Sequence, residues 1–155
     1  MQVIKKVLIG LLIVFIGMQF IRPEKNISDV MPATDIIIST KPPANIQSIL
    51  RTSCYDCHSN HTNYPWYNNI APVSYWLADH VKDGKKHLNF SEWGTYSPKR
   101  KAHKMEELIE EVKVHEMPLS SYLWMHQESK LTDVQIKALT DWAANLRFIY
   151  QIDVQ

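Results

Sequence analysis

The sequence predicts an all-α protein, and three observations carry that prediction. Apolar or small residues recur at i, i+3, i+4 and i+7 in separate windows, as in Ile46, Ile49, Leu50 and Ser53, or Met105, Leu108, Ile109 and Val112. Only four glycines occur in 155 residues, too few for a chain of tight hairpins. Helix-opening residues stand where such windows begin: Pro72, Ser97-Pro98, and Thr132 with Gln135 three residues on. The length suits one domain with one hydrophobic core. Composition is that of a folded chain, 45% apolar and 21% charged. A formal net charge of +1 lacks the basic excess of a nucleic-acid binder, so no nucleic-acid partner is expected.

In chain order, Lys5 and Lys6 precede an apolar run from Val7 to Ile21, broken by Gln19. With Val3 and Ile4 the run approaches the roughly 20 residues that a membrane-spanning helix needs. No small-x-small cleavage site precedes Arg22-Pro23. Residues 1–25 are therefore expected to form an uncleaved transmembrane anchor. It would hold the rest of the chain on the periplasmic, extracytoplasmic side of the inner membrane. Residues 26–43, interrupted by Pro32, Pro42 and Pro43, are expected to be a tether, with Ile36-Ile37-Ile38 an extended piece packed on the domain. The domain itself is expected over residues 44–150.

Its first helix opens at Ala44 or Asn45, and its apolar stripe runs into Cys54-Tyr55-Asp56-Cys57-His58. Both cysteines of the chain lie here, as C-x-x-C-H, the attachment pattern of a c-type haem. Each thiol adds to one porphyrin vinyl group, and the histidine that follows turns its imidazole to the iron. Cys54 and Cys57 are the candidate thioethers, His58 the candidate proximal ligand. Three other readings stay open. Cys54, Cys57 and His61 form part of a zinc site, but a second half is missing. A thioredoxin-like pair wants a βαβ context. A disulfide between the two would close a loop too small to stabilise much. Export agrees with haem attachment, which in bacteria takes place outside the cytoplasmic membrane.

Residues 59–69 read as a loop, whose Tyr64, Trp66 and Tyr67 are placed to pack on the ring. A second helix is expected from Pro72 to about Asp83, ended by Gly84, with His80 a core histidine on its apolar face. A backbone carbonyl near Ala71 or Pro72 is expected to accept from the second ring nitrogen of His58. Leu88 to Trp93 is a compact aromatic turn with no assigned chemistry. The third helix, from Ser97-Pro98, carries Lys99, Arg100, Lys101 and Lys104 before Glu106, Glu107, Glu110 and Glu111, an order that opposes the helix dipole. That layout is a solvated face or a dock for an acidic redox partner. Beyond it, Met117 precedes Pro118, and a thioether is the sixth ligand that raises an iron potential. Met117 is the candidate distal ligand, against the ordinary reading of a core methionine. Met125 and His126 come next, with His115 and His61 behind them. Thr132 caps the last helix, whose stripe is Leu139, Trp142, Ala143, Leu146 and Ile149.

These pieces together resemble the small bacterial haem-binding domain proteins of the cytochrome c type, many of them carried on an N-terminal anchor. The resemblance rests on Ser53 to Ser59, Tyr64-Pro65-Trp66, Ile70-Ala71-Pro72, Leu88 to Trp93 and Met117-Pro118-Leu119, and covers roughly residues 44–148. The order of helix, C-x-x-C-H, methionine and closing helix is similar to that of class I cytochromes c. The aromatic insert from Tyr64 to Trp93 departs from them. The resemblance implies a class I cytochrome c-like domain around one covalent haem c, and no particular pathway. A monohaem electron-transfer or redox-partner protein ligated by His58 and Met117, and not an enzyme, is the expected function. The alternative is a haem enzyme or a gas or redox sensor with an open sixth position and a distal His61 or His126.

Overall fold

The computed structural model describes residues 1–152, and the regular elements among them are helical. Helix α1 (Gln2–Met18) buries none of its residues. Its 17 residues span about 26 Å at 1.5 Å each, less than the roughly 30 Å of a bilayer's hydrocarbon core. Among the described residues, no helix is long and apolar enough to cross a membrane. The apolar run read from the sequence extends to Ile21, but the end of that run belongs to the domain. Gln19 donates to the Ala71 carbonyl at 3.2 Å and accepts from the Ala71 N–H at 3.0 Å. The Tyr75 hydroxyl lies 2.9 Å from the Met18 carbonyl and 2.6 Å from that of Ile21. The transmembrane anchor expected over residues 1–25 is thus corrected, and the inner-membrane, periplasmic localisation that depended on it falls with it.

The stretch expected to be a tether is packed on the domain. Asn26 donates to the Ser59 carbonyl at 2.8 Å and to Thr62 Oγ1 at 3.0 Å. Ile36-Ile37-Ile38 is helical rather than extended. It opens α2 (Ile36–Thr40), whose first turn is capped by the Asp35 carboxylate accepting from the Ile37 N–H at 2.9 Å. Ile36 and Ile37 are buried.

Helix α3 (Ala44–Ser53) buries Ile46, Ile49 and Leu50, as its spacing predicts, and leads into the single turn α4 (Tyr55–His58). A short 3-10 turn, Trp66–Asn69, interrupts the loop before α5 (Val73–His87). A second, Phe90–Thr95, precedes α6 (Pro98–Lys113), where Ser97 accepts from the Arg100 N–H at 3.3 Å. After α7 (Ser120–Leu123) comes α8 (Asp133–Ile152). Its start is a capping box: the Thr132 N–H donates to Gln135 Oε1 at 2.9 Å, and the Gln135 N–H to Thr132 Oγ1 at 3.3 Å.

Helices α6 and α8 pack against each other and carry much of the core, with Met105, Leu108, Val112, Leu139 and Ala143 buried between them and α3. Trp93 is fully buried in the same cluster and donates to the Tyr150 hydroxyl at 3.2 Å. Ile149, expected on the buried stripe, is 51% exposed.

Gly84 does not end its helix. It sits inside α5, which runs a further turn to His87, and a Cβ there would lie 2.6 Å from the Cys57 carbonyl oxygen. The missing side chain is what lets α5 lie directly on α4. Gly84→Ala should therefore destabilise the protein by about 1–3 kcal/mol through overpacking, although alanine is the better helix former. Urea unfolding of the variant checks this, and a gain in stability is the opposite result.

Candidate haem-attachment site

The C-x-x-C-H motif is one helical turn. The Cys54 N–H still donates to the Leu50 carbonyl at 3.0 Å, which closes α3. A break at Cys54 (φ −129°) starts the new turn, and the N–H groups of Cys57 and His58 both donate to the Cys54 carbonyl, at 3.2 and 3.0 Å. Residues three apart on a turn share a face, so the two thiols are neighbours with the imidazole at the end. Both cysteines are free and half-buried, their sulfurs on the shielded side. Burial pushes the Cys54 thiol up to about 12, with Cys57 beside it adding to the effect. Burial, then the Asp56 carboxylate, pushes Cys57 up to about 11. A reactive dithiol needs the opposite shift, so the thioredoxin-like reading has no support here. The zinc reading fares no better. His61 is exposed with its Nδ1 2.7 Å from the Ser28 carbonyl, and among the described residues no cluster of three or more His, Cys, Asp or Glu side chains is placed to hold a metal ion.

The His58 ring is oriented through Nδ1, which donates to the Leu88 carbonyl at 2.9 Å. A carbonyl only accepts, so the proton is on Nδ1 and the lone pair is on Nε2. Burial holds His58 below the ordinary imidazole range, against the bonds to Leu88 and Gly84 that favour the charged form. The neutral ring is the ligating form. The carbonyl expected near Ala71 or Pro72 is instead that of Leu88, because Ala71 is already engaged with Gln19.

The aromatic turn after Leu88 sets that carbonyl. The Asn89 N–H donates to the Tyr96 hydroxyl at 3.1 Å, its Oδ1 accepts from the Ser91 N–H at 3.1 Å, and its Nδ2 donates to Asn60 Oδ1 at 2.9 Å. Phe90 stacks on Tyr55 at 5.4 Å and tilts toward His58 at 6.0 Å. The two residues between the cysteines point outward to other segments. The Tyr55 hydroxyl donates to Asp35 Oδ1 at 2.6 Å. Asp56 Oδ1 accepts from Asn63 N and Nδ2, both at 3.1 Å, and its Oδ2 from the Tyr122 hydroxyl at 2.8 Å.

Met117 lies in the turn after α6, half-buried against the core, its N–H donating to the Glu111 carbonyl at 3.2 Å. A small pocket beside Cys57, of about 10 Å³, is lined instead by Tyr67, Leu77, Val81, Tyr122 and His126. His126 stacks on Tyr122 at 4.2 Å, with Nε2 2.8 Å from the Tyr67 hydroxyl and Nδ1 3.2 Å from Glu128 Oε1. His80 packs on Trp76 of its own helix at 4.1 Å, and Met125 is 59% exposed.

A family model described as a haem-binding domain matches residues 13–145. The chain belongs to the haem-binding domain family. No curated protein and no solved structure matches it. The residues on the turn fit a haem. Porphyrin supplies four nitrogens, so the protein owes the iron only axial ligands, and a neutral imidazole with Nε2 available is such a ligand. The haem-binding domain also uses residues that spacing did not single out. Gly84, Leu88, Asn89 and Phe90 hold the turn and its ring, and Tyr122 reaches Asp56. Two signals were present in the sequence: a rare glycine in a helical window, and an Asn two residues before a Ser at an Asx-type turn.

Two outcomes are expected. In the haem-free protein near pH 8, alkylation of the folded cysteines should be at least roughly tenfold slower than in urea, because raised thiol pKa values suppress the thiolate. Mass spectrometry of iodoacetamide time courses measures it. Asn89→Ala should cost about 1–3 kcal/mol, since it orphans buried partners at both ends of the turn, and should broaden the His58 ring signals in NMR.

Proposed function

We propose that this haem-binding domain carries one haem c, joined by thioethers from Cys54 and Cys57, with His58 Nε2 as proximal ligand and Met117 as the sulfur ligand on the opposite face. It serves as a monohaem electron-transfer or redox-partner protein rather than an enzyme. The observation that carries this reading is the His58 Nδ1–Leu88 bond at the end of a turn that presents both thiols. When bound, the iron supplies a one-electron couple. The chain's own residues do the rest. Leu88 fixes the tautomer and plane of the ring, Phe90, backed by Tyr55, covers its side, and Gly84 lets α5 close over Cys57. Support for Met117 is chemical and topological: a half-buried thioether in a turn whose continuation, α7, reaches back to Asp56.

After co-expression with haem maturation machinery, the intact mass should exceed that of the polypeptide by one haem, retained through acid–acetone extraction. Cys54→Ala with Cys57→Ala should abolish that retention. The oxidised spectrum should show a sulfur-to-iron band at its red end, lost in Met117→Ala.

One observation favours a second reading, an open sixth position with a distal histidine. His126, not Met117, lines the pocket beside Cys57, within a hydrogen-bond chain from Tyr67 to Glu128. A high-spin spectrum indifferent to Met117→Ala but altered by His126→Ala would decide for it.

A further inference from the structure

We propose that Asp56 and Tyr122 form a clasp that seats the Met117 segment on the haem-bearing turn, a positioning role that rests on the His58/Met117 reading above. The middle of the segment between α6 and α8 is poorly anchored by apolar burial, although Met117 packs on the core before it and Leu131 is buried after it. Helix α7 buries none of its residues, and Trp124 and Met125 are 78% and 59% exposed. Polar contacts hold it instead. Tyr122 donates to Asp56 at 2.8 Å, His126 meets the Tyr67 hydroxyl at 2.8 Å, and Ser129 Oγ donates to the Thr52 carbonyl at 2.7 Å. Of these, the Tyr122 bond is the one made to a residue of the motif itself.

The geometry makes that bond a rigid link. Asp56 Oδ1 is occupied by both Asn63 donors, and Thr62 Oγ1 donates to the Asp56 carbonyl at 2.6 Å, so the carboxylate is held with Oδ2 facing Tyr122. The bond is charge-assisted, and the half-buried Tyr122 hydroxyl stays protonated to donate it. On the other side, the N–H groups of Tyr122 and Leu123 donate to the Leu119 carbonyl at 3.0 and 3.1 Å, which makes the piece from Leu119 to Tyr122 one stiff turn just beyond Met117. Holding Tyr122 therefore adds to the hold that core packing and the Glu111 carbonyl already have on Met117. Because Asp56 stands between the two cysteines, the clasp ties the sulfur-bearing segment to the same turn that carries the haem. A hydroxyl removed here loosens the sixth ligand while leaving the thioethers and the core in place.

The test uses the haem-loaded oxidised protein and competes added imidazole against the sixth ligand, following the sulfur-to-iron band. Tyr122→Phe removes one oxygen atom and leaves the stacked ring, and Asp56→Ala removes the acceptor. Each should bind imidazole at least about tenfold more tightly than the parent, with the haem still covalently attached. The double variant should retain the sixth ligand as well as Asp56→Ala alone, because Tyr122→Phe then has no bond left to delete. If the parent shows the band and Tyr122→Phe leaves the imidazole affinity unchanged, or the two effects simply add, the clasp is overturned and the ligation reading stands. A parent without the band overturns the ligation reading, and the clasp with it.

Discussion

The hydrogen bond from His58 Nδ1 to the Leu88 carbonyl is the constraint on which the rest of the site depends. A neutral imidazole offers a metal one nitrogen, a bond from the other fixes which one, and a backbone carbonyl fixes it without adding charge. For that carbonyl to arrive, α5 must lie close on α4 and then turn sharply. Gly84 permits the first and the Asn89 side chain enforces the second. Phe90 follows from the same turn and closes the space between Tyr55 and the ring. The elements around the C-x-x-C-H turn can thus be understood as conditions for one donor–acceptor pair.

The site hangs between two kinds of support. Below it, α3, α6 and α8 form a conventional apolar core in which Trp93 anchors the aromatic turn to Tyr150. Around it, the loops are held mainly by polar bonds to the motif, Tyr55 to Asp35 and Asp56 to Asn63 and Tyr122, and by one just beyond it, Asn60 to Ser91. The residues between the cysteines are thus the points at which the turn is tied to its neighbours. Apolar burial is non-directional and tolerates small shifts, whereas these bonds fix angles. A ring ligand needs the second kind of control.

Much of this was legible in the sequence wherever the cause lies between neighbours along the chain. The apolar spacing of α3, α6 and α8 is local, and so are the caps at Ser97 and Thr132 and the C-x-x-C-H turn itself. Reading went astray where the cause lies elsewhere in space. Gly84 looked like a helix stop, since a glycine's usual local meaning is a C-cap, but its reason is the Cys57 backbone against it. The apolar run before Arg22 looked long enough for a bilayer, but Gln19 and the Met18 and Ile21 carbonyls are bonded to Ala71 and Tyr75.

By itself the sequence determined that the chain is helical, that its two thiols and one imidazole share a turn, and that haem is the cofactor to expect. Tertiary structure decided which carbonyl orients His58, which side chains grip Asp56, and where α1 stops. The physical reason is degeneracy. Residues throughout the chain carry carbonyls and hydroxyls that are chemically equivalent along the sequence, so a partner is chosen only by which elements pack together. Thiols are rare, two in the whole chain, and their spacing could be read at once.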